Sequence, residues 1–157
     1  MSREQLERPG LLKAVQQAGS GYGARFMMVH QAVADRLGLN VIDLRCLRLA
    51  REGGEPTAGH LAKITGLTTG TITAVLDRLE KARFIRRVRD AEDRRKVMVK
   101  VLAGGVQRIE RIMAPLSQDM TGALQDLSED ELKAILKFFD VTSGAVSRHL
   151  ERIHGKR

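Results

Sequence analysis

The sequence predicts a mainly α-helical chain that carries one small β-hairpin. Apolar residues recur at helical spacing along most of the 157 residues, and two short segments near the middle have strand patterns. Only 3% of the residues are aromatic, which is typical of an aliphatic interior packed between helices. No internal repeat or low-complexity linker interrupts the chain, so we expect one domain over residues 1–157.

The chain begins with a predicted leader and a first helix. Residues 1–10 are expected to form a loose leader that ends at Pro9-Gly10. The glycine-rich stretch 19–23 is expected to interrupt the first helix or to precede it. From Ala24 to Leu37 the apolar residues lie on one helical stripe, which predicts a helix there.

A second helix is predicted over 41–51. Asn40, with Asp43 three residues later, indicates its N-cap, and Gly53-Gly54 indicates its end. Its many apolar residues indicate that the helix is mostly buried. They are Ile42, Leu44, Cys46, Leu47 and Leu49.

Two short helices, predicted at about 58–65 and 68–82, have the spacing of a helix-turn-helix. Ala62 provides a small residue where two helices cross, Gly66 suits the turn, and Ile72 can pack the second helix on the first. The second helix also carries an apolar stripe. It consists of Ile72, Val75, Leu76 and Leu79.

The opposite face of this second helix is polar and rich in threonine. Thr68 or Thr69 is expected to cap the helix, leaving free N–H groups at a terminus that suits phosphate. In a helix-turn-helix this end enters the major groove, where threonine can contact base edges. We predict DNA contacts from Thr68, Thr69, Thr71, Thr73 and Arg78. The alternative is a helical pair that only packs.

A basic hairpin follows directly. Residues 84–89 and 97–101 have strand patterns, and the charged segment 90–96 is expected to form the tip. The segment from Arg78 to Lys100 contains ten basic and four acidic residues, a net +6 of the whole chain's +8. A hairpin in this place is a wing that lies beside the duplex, where arginine can enter the minor groove. A solvated charged face is the alternative. The predicted wing contacts are Arg89, Arg94, Arg95 and Lys96.

Two long helices complete the chain. The first is predicted from about 104 to 126, with Pro115 as a kink or break. Ser128 and Glu131 form a capping-box pattern that starts a last helix, which runs to about Ile153. The whole pattern therefore predicts a winged helix-turn-helix with long terminal helices.

The sequence resembles the MarR family of transcriptional regulators. The resemblance rests on Leu76-Asp77-Arg78-Leu79-Glu80 and on the spacing of Ile85, Arg87, Asp90 and Asp93-Arg94-Arg95. It implies a DNA-binding part at about 57–102 and a homodimer formed by helices at about 11–52 and 103–157. It also implies a pseudo-palindromic operator, with Arg94 and Arg95 contacting DNA or supporting the tip through Asp93.

Two positions depart from the family pattern. Relatives usually have glycine at the position of Arg83, where a left-handed conformation costs other residues about 1 kcal/mol or more. Many relatives carry arginine or lysine at the position of Ala74, so one base or phosphate contact is missing here.

The resemblance also implies a small aromatic or phenolic ligand between the dimer helices and the winged part. Met27, His30 and Arg45 are the predicted ligand contacts, with Met28 as further apolar lining. The alternative assigns both methionines to the core, His30 to a dimer interface or the surface, and Arg45 to the solvated surface. Cys46 lies in an apolar stripe, which favours a buried structural cysteine over a redox sensor.

Composition narrows the function classes. The net charge of +8 favours an anionic partner, and the single cysteine excludes an internal disulfide and fits the cytoplasm. No apolar run is long enough for a membrane span or a secretory signal. The four histidines lack metal-ligand spacing and no phosphate loop is present, so we expect no cofactor, no metal and no enzyme activity.

We therefore predict a sequence-specific regulator that binds double-stranded DNA, represses transcription and is released by a ligand. The alternatives are a non-specific architectural DNA binder and a winged-helix module that docks an acidic protein.

Overall fold

A computed structural model describes residues 7–90, 93 and 96–155, without the side chain of His154. Within these residues the elements are α1 (Arg8–Leu37), α2 (Val41–Glu52), α3 (Ala58–Thr65), α4 (Thr69–Lys81), β1 (Ile85–Arg89), β2 (Val97–Val101), α5 (Ala103–Leu124) and α6 (Glu129–His154). The chain divides into two compact units, one up to Val106 and one from Gln107.

Helix α1 is longer than predicted. It begins at Arg8, so Pro9-Gly10 lies in its first turn and is not the boundary that the sequence predicted. Residues 1–6 of the expected leader lie outside the described residues. Proline fits there because the first N–H groups of a helix have no internal partner. The glycine-rich stretch 19–23 does not interrupt the helix either. Contacts between residues four apart cross the stretch: Tyr22 stacks on Phe26 at 5.6 Å, and Arg25 donates to the Gly21 carbonyl.

Helix α2 begins as predicted, with a capping box. The Asp43 N–H donates to Asn40 Oδ1, and the Asn40 N–H donates to Asp43 Oδ2. Its buried face differs from the predicted stripe, because Ile42 is 44% exposed. The buried residues of α2 are Asp43, Cys46, Leu47 and Ala50.

Helices α3 and α4 form the predicted helix-turn-helix. Gly66 ends α3 in the left-handed conformation at φ 72°, which confirms the turn glycine. The stripe Ile72, Val75, Leu76 and Leu79 is buried, as predicted, and Leu61 of α3 has no exposed surface.

Strands β1 and β2 are antiparallel, with Ile85 opposite Val101 and Arg89 opposite Val97. A third segment, Pro56-Thr57, pairs with this hairpin, which the sequence patterns did not reveal. Thr57 forms an isolated bridge with Met98, and the Val99 N–H donates to the Pro56 carbonyl at 2.9 Å. The segment before α3 is thereby hydrogen-bonded to β2.

Helix α5 starts against the helix-turn-helix core. At Gly105 an added Cβ atom would lie 2.7 Å from Phe84 Cδ1 and 2.8 Å from Phe84 Cα. This approach requires glycine. The helix then continues through Pro115 without a break.

The second unit contains the rest of α5 and α6. The Ser128–Glu131 capping box is confirmed, and its hydrogen bonds lower the pKa of the Glu131 carboxyl. Across the described part of the chain, no helix is both long and apolar enough to cross a bilayer.

Candidate nucleic-acid interface

Helix α4 presents a capped N-terminus to solvent. Thr68 is the N-cap: its Oγ1 accepts from the Thr71 N–H at 3.2 Å and lies 2.8 Å from Thr71 Oγ1. One turn later, the Thr73 hydroxyl donates to the Thr69 carbonyl at 3.0 Å. These internal bonds fix the threonine side chains at the start of the helix.

The face of α4 opposite the core is open. All of its side chains are exposed, and we call this set the exposed face of α4: Thr69, Gly70, Thr71, Thr73, Ala74, Asp77 and Lys81. The sequence prediction that this face is available to a partner is therefore consistent with the burial pattern.

Arg78 differs from the other predicted DNA contacts because its guanidinium has an internal partner. Its Nε and Nη2 donate to the Asp43 carboxylate, at 3.0 Å to Oδ2 and 2.7 Å to Oδ1. Asp43 has no exposed surface, whereas 43% of the Arg78 side chain remains exposed. This bonding raises the pKa of the Arg78 guanidinium and connects α4 to α2.

Arg87 of β1 makes a second ion-pair cluster on α4. Its Nη1 lies 2.7 Å from Asp77 Oδ1 and 3.2 Å from Glu80 Oε2, and its Nη2 donates to the Thr73 carbonyl. The Arg87 backbone N–H also donates to Glu80 Oε1 at 2.8 Å. One residue of the hairpin therefore contacts two turns of α4.

The end of α4 fixes where the hairpin starts. The Phe84 N–H donates to the Leu79 carbonyl and the Arg83 N–H to the Glu80 carbonyl, which is a Schellman ending. Arg83 occupies the left-handed position at φ 58°. The turn therefore has the left-handed geometry that glycine adopts easily, with an arginine in the strained position.

Cations lie on the described parts of the hairpin. Arg89 at the end of β1 is exposed, and Lys96 is 61% exposed, with its Nζ 3.8 Å from Asp93 Oδ2. Two backbone hydrogen bonds join residues between the two strands. The Asp90 N–H donates to the Lys96 carbonyl, and the Lys96 N–H donates to the Asp93 carbonyl. The predicted contacts Arg94 and Arg95 lie outside the described residues.

The predicted ligand contacts lie on α1 and α2. Met27 is 68% exposed and Met28 71%, so neither fills the core of this unit, and the alternative that assigned them to the core is wrong for the isolated chain. The rings of His30 and Phe26 are packed edge to face, with 5.0 Å between their centroids. Arg45 is exposed. Among the described residues no group of His, Cys, Asp and Glu could bind a metal ion.

Cys46 is buried, as its apolar stripe predicted. Burial raises the pKa of its thiol, and the negative charge of Asp43 acts in the same direction. A protonated, inaccessible thiol is a structural cysteine.

Sequence reasoning missed the role of Arg87, Asp77 and Glu80. All three lie in the motif that resembles the MarR signature, and the structure shows that Arg87 contacts both Asp77 and Glu80. Asp77 and Glu80 are three residues apart on a helix, so they share one side, which was the available signal.

Comparisons with known proteins agree with this geometry. The sequence profile of the MarR family matches residues 39–97. The HTH-type transcriptional regulator YcgE of Bacillus subtilis is 37% identical over 97% of this chain and 96% of its own length.

Solved structures share the fold. A MarR family protein from Bacillus stearothermophilus has a TM-score of 0.69 at 18% identity, over 90% of this chain and 99% of its own. A mutant of MarR from E. coli, complexed with operator DNA, has a TM-score of 0.54 at 20% identity, over 87% and 99%.

Proposed function

We propose that this chain, which belongs to the MarR family of transcriptional regulators, represses transcription by sequence-specific binding to a pseudo-palindromic DNA operator as a homodimer. The family and the relative YcgE are regulators of transcription, not enzymes.

The observation that carries the proposal is the placement of α4. Its core stripe is fully buried, while its exposed face bears only short side chains over the first two turns. Arg78 and Arg87 connect the helix to α2 and β1, which fixes it relative to the basic hairpin. A fixed helix with an open face beside a cationic hairpin suits the major groove and the adjacent backbone.

We propose contacts from the predicted residues. The threonines Thr68, Thr69, Thr71 and Thr73 contact bases or phosphates at the start of α4. Arg89 and Lys96, with Arg94 and Arg95 at the tip, contact the backbone or minor groove beside it. Arg78 stays a predicted contact through the exposed part of its side chain.

The exposed apolar surface of α6 supports the homodimer. Several large apolar side chains of α6 are exposed in the single chain, and a second copy would cover them: Leu136, Phe139, Val146 and Leu150. Two α4 helices about 34–36 Å apart would then enter successive major grooves. Sedimentation of the purified protein tests the dimer, and a monomer at micromolar concentration would contradict it.

Release by a small aromatic acid is the regulatory part of the proposal. Met27 and His30 on α1, with Arg45 on α2, offer apolar lining and groups that can bind a carboxylate. A ligand acts only through its different affinity for the two states. Thermal-shift titration with a panel of aromatic acids tests this part, and a flat response across the panel would contradict it.

The central experiment retains sheared genomic DNA on the purified protein at near-physiological salt and sequences what remains bound. Enrichment of one pseudo-palindrome, with half-sites about one helical turn apart, is the expected result. Uniform retention that vanishes as salt rises would mean a non-specific binder, and no retention would point to a protein partner.

A further inference from the structure

We propose that α4 recognises thymine-containing base pairs through their 5-methyl groups, so that the operator half-site is defined by thymine methyls in the major groove. This inference rests on the proposed function, because it specifies which DNA the exposed face of α4 binds.

The start of α4 lacks the long polar side chains that usually contact bases. From Thr69 to Asp77 the helix contains no arginine, lysine, asparagine or glutamine. Those are the residues that recognise guanine and adenine through paired hydrogen bonds in the major groove. The start of α4 therefore has none of the usual donors for bidentate recognition.

The first charged side chains after the start of α4 are those of Asp77 and Arg78. Asp77 is bound to Arg87, with 2.7 Å between Oδ1 and Nη1, and Arg78 is bound to Asp43. Lys81 lies in the last turn, twelve residues or about 18 Å from Thr69 along the helix. Asp77 and Arg78, the two charged residues nearest the start of α4, therefore already have partners within the chain.

The threonine hydroxyls at the start of α4 form hydrogen bonds within the helix. The Thr73 hydroxyl donates its hydrogen to the Thr69 carbonyl, and the Thr68 and Thr71 hydroxyls bond to each other. Thr73, whose hydroxyl hydrogen is used within the helix, and Ala74 therefore offer a base edge mainly methyl surface. The thymine 5-methyl group is the one apolar group that unmodified B-DNA presents in the major groove.

Gly70 supports a close approach of the α4 backbone to the base pairs. An added Cβ atom at Gly70 would meet nothing within 4 Å, and its φ is not positive, so nothing within the described chain requires glycine. Glycine lowers helix stability relative to alanine. Its presence on the exposed face is explained if the backbone there approaches the base pairs closely.

The test begins with the operator that the protein selects from genomic DNA. Each thymine of the half-site is replaced by uracil, symmetrically in both halves, which removes only the methyl group. We expect one or more positions to weaken binding by about fourfold per half-site, the factor for burying one methyl group.

A double-mutant cycle then assigns the protein partner. Thr73→Ser removes a methyl group and keeps the hydroxyl that donates to Thr69. We expect Thr73→Ser or Ala74→Gly to weaken binding to the thymine operator and to leave binding to the matching uracil operator almost unchanged. Thr121→Ser is the matched control, since Thr121 is also exposed and donates to the carbonyl four residues earlier, at 2.9 Å on α5.

The outcomes are separable. If the selected operator binds equally well with uracil at every position, the inference is overturned while the proposed function stands. If uracil weakens binding but no substitution on the exposed face of α4 couples to it, the inference is also overturned. If no sequence is selected at all, the proposed function itself fails.

Discussion

The Arg78 guanidinium donates to both oxygens of Asp43, a carboxylate with no exposed surface that also accepts the N–H of Asn40. A single buried side chain therefore completes the capping box of α2 and bonds that helix to α4. A bidentate arginine–carboxylate pair is directional, so it fixes orientation as well as distance.

Replacing Arg78 should lower stability more than it lowers DNA affinity. Arg78→Ala would leave the Asp43 charge buried without its main partner, and we expect a loss of about 2–3 kcal/mol in the free energy of unfolding. Arg78→Lys should lose less, because it keeps the charge and only the paired geometry is lost. Urea denaturation measures both, with Arg89→Ala as the exposed control. A loss below about 0.5 kcal/mol for Arg78→Ala would contradict a structural role.

Arg87→Gln should reduce discrimination between operator and random DNA without changing the salt dependence of binding. Arg87 contacts Asp77, Glu80 and the Thr73 carbonyl, so its removal frees α4 relative to the hairpin. A residue that contacts a phosphate would instead lower the salt slope by about 1. Arg86→Gln is the control on the neighbouring, exposed position of β1. A reduced slope with intact discrimination for Arg87→Gln would show a phosphate contact.

Arg83→Gly should stabilise the protein. Arg83 has φ 58°, and the left-handed conformation costs about 1–2 kcal/mol without glycine, part of which is offset by the greater freedom of glycine in the unfolded chain. The expected net gain is about 0.5–1 kcal/mol. Gly66→Ala, at φ 72° with open space around it, should have the opposite sign. Thermal unfolding of both variants checks this, and equal signs would refute the strain at Arg83.

Gly105→Ala and Gly104→Ala should behave differently although they are adjacent. At Gly105 a Cβ atom would lie 2.8 Å from Phe84 Cα and 3.1 Å from the Arg83 carbonyl oxygen, and backbone atoms cannot move aside easily. We expect a loss of about 1–3 kcal/mol. At Gly104 a Cβ atom meets nothing within 4 Å, so alanine should be neutral or slightly stabilising. Denaturant midpoints decide, and a neutral Gly105→Ala would mean that α5 does not pack closely on Phe84.

Cys46 should contribute to the pH dependence of stability at alkaline pH. Burial raises the pKa of the thiol in the folded chain, so folding loses stability as pH rises above the ordinary thiol pKa of about 8.5, where only the unfolded chain ionises. The difference in unfolding free energy between wild type and Cys46→Ala should therefore shrink from pH 7 to pH 10. Rapid reaction of native protein with a thiol reagent would contradict the burial.

Local signals in the sequence predicted most of the helices and strands and a DNA-binding role. Caps such as Asn40 and Ser128, the turn glycine Gly66 and the stripe from Ile72 to Leu79 are local signals, because each depends on residues within about one turn. The exposed threonines of α4 and the basic excess of the hairpin predicted a DNA-binding regulator for the same reason. The end of the leader expected at Pro9-Gly10 and the break expected at residues 19–23 were wrong, because helix-breaking residues lower helix stability without forbidding the helix.

Which charged side chains have partners within the chain depends on how the helices and strands pack together. Arg78 and Arg89 are both arginines next to the predicted interface, and nothing local distinguishes them. Asp43 lies thirty-five residues before Arg78, and their pairing depends on how α2 packs against α4. The bridge between Thr57 and Met98 and the approach of Gly105 to Phe84 are likewise contacts across long sequence separation. Such contacts depend on the distance between elements, which the periodicity of a single segment does not contain.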